Sequence, residues 1–187
     1  MSLNSQSTIR TFALGIFAVA LTALGADAPT QTVDAGGLKF EAPAAWKSSK
    51  PSNAMRRAQL KIAPAKGDED SAELVVTAIN GAGGGLDANI KRWQAWFKDA
   101  DGKTAKIETK TVKGKNVEVT RLESSGRYVA PVFPGSSDLN DKPNYHLLGA
   151  IVSANGTSYF LRLIGPDKTV VEAREGFDAA IASMTAE

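Results

Sequence analysis

Four glycines, Gly81, Gly83, Gly84 and Gly85, stand between a β-branched run (Glu73 to Asn80) and an amphipathic segment that begins at Asp87. Strand, glycine loop and helix is the order in which many nucleotide sites are built, because backbone N–H groups and a helix N-terminus converge on a phosphate. The spacing breaks both fingerprints. Leu86 occupies the third glycine position of Gly-x-Gly-x-x-Gly, and Gly85-Leu86-Asp87 stands where a P-loop carries Gly-Lys-Ser/Thr. Asp87 also puts a negative charge where the phosphate would sit. Gly102-Lys103-Thr104 repeats part of a P-loop, but Phe97 replaces its first glycine, and the order is helix then strand. Both glycine segments are expected to be turns, with positive φ as their purpose.

Other chemistry is thin. The single histidine, His146, cannot build a zinc site that needs several imidazoles, and no Gly-x-Ser-x-Gly elbow accompanies it. Asp68-Glu69-Asp70 and the Asp138/Asp141 pair lack the Gly and Glu positions of an EF-hand, and both read as solvated turns. The chain has no cysteine. That excludes a lipid-anchored cleavage site, disulfides, thiol catalysis, iron–sulfur clusters and thiolate zinc. No catalytic set, metal site or cofactor is expected. The side chains suited to holding a ligand are Arg92 and Trp96 on the amphipathic segment, with Tyr145 and His146 beside a long loop. An aromatic stripe at helical spacing is, however, more often core than platform.

Elements must position these groups. Thr11 to Gly25 is an uncharged apolar run. It is short of the ~20 residues a membrane span needs, and it matches the core of a secretory signal. Residues 1–26 are expected to be a signal peptide cleaved after Gly25 or Ala26, and 27–36 a flexible leader. Residues 37–187 then form a single α+β domain. Beyond Arg10 the chain has 21 basic against 20 acidic residues, so no strong field draws it to nucleic acid or anionic lipid.

Leu38–Pro43, Ala58–Ile62 and Glu73–Asn80 read as strands, with Leu60 and Ile62 on one face. Ile90, Trp93, Trp96 and Phe97 form the apolar stripe of a helix that starts near Asp87 as N-cap and stops at Gly102. KIETKTV and NVEVTRL flank a hairpin turn at Gly114. Pro131–Pro143 is a long surface loop. YHLLGAIVS and SYFLRLIG, joined by Asn155-Gly156, are apolar at almost every position, which predicts a tight hairpin buried on both faces. Thr169 to Glu172 fits a capping box opening a last helix with Val170, Ala173, Phe177, Ile181 and Met184 inward.

FEAPAAW near the start and SYFLRLIGPDKTVVEAREGFDAAIASM at the end resemble the PsbP-like α/β/α sandwich, while GGLDANIKRW resembles a set of uncharacterised secreted bacterial proteins. The resemblance implies a mostly antiparallel sheet covered by helices on both faces, in a fold used mainly for small binding or assembly modules. The expectation is therefore an exported, periplasmic or extracellular, non-catalytic module. Its partner would be an envelope protein or a small ligand, without nucleic acid and without stable membrane insertion after cleavage. The alternatives are a hydrolase using cleft carboxylates and a structural envelope protein held by an uncleaved N-terminus.

Overall fold

The computed structural model describes residues 29–187 except Ala82 and Pro134; the expected signal peptide lies outside the described residues. The strands are β1 (Thr30–Asp34), β2 (Leu38–Pro43), β3 (Lys47–Ser48), β4 (Arg56–Ile62), β5 (Ala72–Asn80), β6 (Phe97–Lys98), β7 (Glu108–Lys113), β8 (Glu118–Tyr128), β9 (Lys142–Ala154), β10 (Thr157–Pro166) and β11 (Thr185–Ala186). The helices are α1 (Leu86–Gln94) and α2 (Asp167–Ser183). The segment expected to be a flexible leader thus carries β1, which pairs with β2 from Thr30–Pro43 to Asp34–Lys39.

Eight strands form one sheet in the order β3-β4-β5-β10-β9-β8-β6, with β7 also on β8, and β1-β2-β11 form a second; every pairing is antiparallel. At the centre lies the β9–β10 hairpin. Asn155 and Gly156 both have positive φ (50° and 74°), as a type I′ turn requires. Period-two alternation then divides β10 between two cores. Tyr159, Leu161 and Leu163 face α2 and the small sheet, where they meet Leu38, Phe40, Val170 and Phe177. Phe160 faces the other way, into a smaller cluster with Trp93, Phe97, Leu122, Leu147 and Ile151. Each such side chain, fully buried, contributes about 1.5–3 kcal/mol, so the hairpin is the main anchor of the fold.

The layering is less regular than a sheet with helices over both faces. On one face α2 shares its layer with the three-stranded sheet. On the other the described helix is α1, of nine residues. This helix is also shorter than its apolar stripe predicts. Trp96 lies in the exit turn, and Phe97 has left the helix to pair with Tyr128 in β6–β8. The Trp96 carbonyl accepts from Val129 N–H at 2.8 Å. Strand pairing there satisfies backbone groups that a longer helix would have satisfied internally. Asp87 is not the N-cap: Gly85 holds that position, and Asp87 lies in the first turn.

The capping box at Thr169 also resolves differently. α2 begins three residues earlier, with Pro166 and not Thr169 in the N-cap position. The Thr169 N–H and hydroxyl both donate to Asp68 Oδ2, at 2.9 and 2.6 Å. The cap comes from a turn far away in sequence. Residues 68–70 are the solvent-facing turn expected, and its acids also bond across the fold: Asp70 Oδ2 accepts from Lys142 Nζ and Tyr145 Oη, both at 2.7 Å.

Candidate functional site

The glycine loop is a packing device. Gly81, Gly83, Gly84 and Gly85 all have positive φ. A Cβ on Gly83 would lie 2.8 Å from Phe160, so the close approach excludes a side chain. Asn89, 1% exposed, donates from Nδ2 to the carbonyls of Gly83 (2.9 Å) and Gly85 (2.6 Å). The loop presents those carbonyls inward to an amide, the opposite of an N–H cradle for phosphate. The Asn of the Ala-Asn-Ile pattern thereby acquires a purpose.

From that loop α1 lays Trp93 flat on the sheet over Gly149, whose Cβ, were there one, would sit 2.7 Å from the indole. Trp93 is buried, and Trp96 stacks on it at 6.2 Å and 23°. Arg162 rises from β10 beneath the pair. Its guanidinium carbon lies 5.3 Å from the Trp96 centroid and 6.0 Å from that of Trp93. Tyr128 stacks on Tyr145 at 5.9 Å and 11°, and Phe97 packs on Tyr128 at 5.3 Å. Burial lowers the pKa of Arg162 and raises that of Tyr128. Arg162 Nε is sealed from solvent and makes no hydrogen bond among the described residues. A buried donor left so costs about 1–3 kcal/mol, and such a group calls for an explanation.

Of the four side chains proposed from sequence, three belong to this face. Trp96 is half-buried on Arg162. Arg92 is exposed on α1 and donates to Asn89 Oδ1. Tyr145, whose phenol pKa is raised by burial and by its bond to Asp70, extends the aromatic row. His146 does not join them. Adjacent strand residues point to opposite faces, so His146 turns towards α2, where it is 6% exposed. Its Nδ1 meets Asp167 Oδ1 at 2.8 Å and its Nε2 meets Glu123 Oε1 at 3.0 Å.

Glu123 is the hub of that second cluster. Arg174 binds both its oxygens at 2.6 Å, and Arg121 Nη1 reaches Oε2 at 2.8 Å. Burial pushes the Glu123 carboxyl up, but the bonds from Arg174 and Arg121 outweigh it and draw the pKa down to about 2. Arg121, 5% exposed, also donates from Nε to Asp178 at 2.6 Å. Among the described residues no group of three potential ligands is placed to hold a metal ion.

The third region is the long loop. Val132 N–H donates to the Asp138 carbonyl at 2.9 Å, and both the backbone and side-chain amides of Asn140 donate to Ala130, at 2.8 and 2.9 Å. Held this way, the loop leaves Val132, Phe133 and Leu139 at 57%, 61% and 57% exposure. Leu139, Asn140 and Asp141 border an open cleft of about 860 Å³ shared with Lys98, Asp99 and Arg127. Its Asp141–Arg127 pair is bidentate, at 2.5 Å, and the bonds from Arg127 lower the Asp141 pKa.

Sequence reasoning missed Arg162. It is one charge in an otherwise apolar strand, SYFLRLIG, and that was its signal.

The fold that carries these sites is PsbP-like. It is similar to the solution structure of cyanobacterial PsbP (CyanoP) from Synechocystis sp. PCC 6803, with a TM-score of 0.53, 15% identity, and coverage of 88% of this chain and 96% of that one. It is also similar to a crystal structure of a protein of unknown function from Pseudomonas aeruginosa, with a TM-score of 0.50, 11% identity, and coverage of 84% and 97%. No protein-family model and no curated protein sequence matches the chain.

Proposed function

We propose that this protein is a non-catalytic binding and assembly module of the exported compartment, and that it docks a partner protein through the loop 131–141, shorter than the expected Pro131–Pro143 because β9 takes Lys142 and Pro143. One observation carries the reading: three large apolar side chains stay exposed on a loop whose backbone is pinned by hydrogen bonds. Exposed apolar side chains on a held loop suit a contact surface. The cleft beside it supplies a paired Arg127 and Asp141 as a polar rim. The direction of the carboxyl shifts also supports a binding role. Asp70, Glu123 and Asp141 are all lowered, whereas a general acid at neutral pH needs a raised one. Among the described residues no helix is long and apolar enough to cross a membrane. Export rests on the N-terminal apolar run, and a mature chain that still begins at Met1 would refute it.

The docking test is a photo-cross-linker at position 133 in the exported protein. It should yield a discrete adduct that disappears when Val132 and Leu139 are both changed to Ser. The same pair of substitutions should leave thermal unfolding unchanged, since neither side chain is packed. Identical adducts with and without Val132 and Leu139 would sink the proposal.

A further inference from the structure

Arg162 stands apart from the other covered arginine of the sheet because, among the described residues, no carboxylate bonds to it. The charges nearest to it are mostly of its own sign, Arg56 and Arg92. The one acid in the group, Glu73, is already engaged. Gln59 Nε2 donates to its Oε1 at 2.6 Å, and Arg56 Nη1 lies 3.6 Å from its Oε2. The neighbourhood therefore holds three guanidiniums against one occupied carboxylate. Arg162 itself comes from the middle of the sheet, between Val75 of β5 and Gly149 of β9, so it cannot swing out to bulk water as an edge arginine would.

The geometry also selects which part of the guanidinium is free. Its plane is covered by the Trp96 indole, and its Nε edge is sealed. The terminal Nη edge remains. Two N–H groups on that edge match the paired oxygens of a carboxylate or a phosphate, and the match is stronger where water is partly excluded. Aromatic surface borders it: the Trp96 indole lies 5.3 Å away, and Tyr128 is near enough to act on its charge.

We propose that Arg162, assisted by Arg92, is the receptor for the oxyanion of a small ligand, a carboxylate or phosphate, whose planar body lies along Trp96. The site gives a purpose to the one charged side chain of β10. It is a different surface from the docking loop and stands without it.

The test is a titration of the ¹⁵N-labelled exported protein, reading the Arg162 Nε–H and Trp96 indole N–H resonances. Sodium phosphate, acetate and benzoate are added in turn at constant ionic strength, with chloride as the control. Saturable shifts with phosphate alone assign a phosphate ligand. Shifts with benzoate at lower concentration than acetate assign an aromatic acid. Either result supports the site. Arg162→Lys, which keeps the charge and loses the fork, should weaken binding by about tenfold or more. Arg92→Gln, on the exposed face of α1, should weaken it less without disturbing the fold. Should Arg162→Lys fail to fold, the wild-type titration and Arg92→Gln still decide. No saturable shift with any of the three anions, or the same shift with chloride, would overturn the proposal.

Discussion

Arg121 and Arg162 project from opposite faces of one sheet, and both are covered by a helix. Arg121 meets Asp178 and Glu123, and its bonds to them outweigh the effect of burial on its pKa, which rises. Arg162 meets two indoles and, among the described residues, no acid, and burial lowers its pKa. The first arginine is a structural member. Its charge is neutralised by the chain, and the network extends through Glu123 to Arg174 and His146. The second has its charge left over. A fold does not need an unpaired buried charge, since replacement by an apolar side chain is commonly neutral or stabilising. Burial alone therefore does not distinguish structure from function here; the company each arginine keeps does.

The largest effect expected from breaking this contrast is at Glu123. Glu123→Ala removes the carboxylate shared by Arg121, Arg174 and His146, and should cost about 3 kcal/mol in urea unfolding, the low end for a broken buried pair because Arg121 keeps Asp178. Next comes Gly149→Val, which forces Trp93 off the sheet and should cost about 1–3 kcal/mol as an overpacked site. It should red-shift tryptophan emission while leaving the Glu123 cluster, on the other face, untouched. The same carboxylate is also read through pH. The Glu123 carboxyl has a pKa of about 2 in the fold against an ordinary 4.5. Its stabilisation is complete above about 4.5 and is lost as the pH falls towards 2. In Glu123→Gln the dependence of stability on pH should flatten in that window. The smallest effect is at Arg162. Arg162→Met should unfold within about 1 kcal/mol of the wild type, or be slightly more stable. If Glu123→Ala and Arg162→Met cost the same, the contrast between the two faces fails.

Much of the scaffold was legible in one dimension. The β9–β10 hairpin was read from Asn155-Gly156 and two apolar runs, because a type I′ turn and two-sided burial are both local requirements. The β7–β8 hairpin at Gly114 was equally plain. Helix ends were not. Phe97 continues the helical stripe in sequence but is taken by β6, and Thr169 looks self-capped but is capped by Asp68. In both places the winning partner is distant in the chain, and no local pattern carries that information. The site divided along the same line. Trp96 and Arg92 were visible as a pair on one helix. His146 was wrongly grouped with Tyr145, although strand alternation already placed them on opposite faces.

What the sequence by itself determined is the pattern that buries apolar faces: a central hairpin, the two helical stripes, a glycine run that is not a phosphate loop, and the absence of thiol chemistry. These depend on residue type and short-range period, which are properties of neighbours along the chain. What only the tertiary structure decided is the partner of each charge. Glu123 acquired two arginines and a histidine, Asp68 a helix N-terminus, and Arg162 no acid among the described residues. Pairing of charges depends on distances of a few ångströms between strands and helices far apart in sequence, and the packing of the sheet sets those distances.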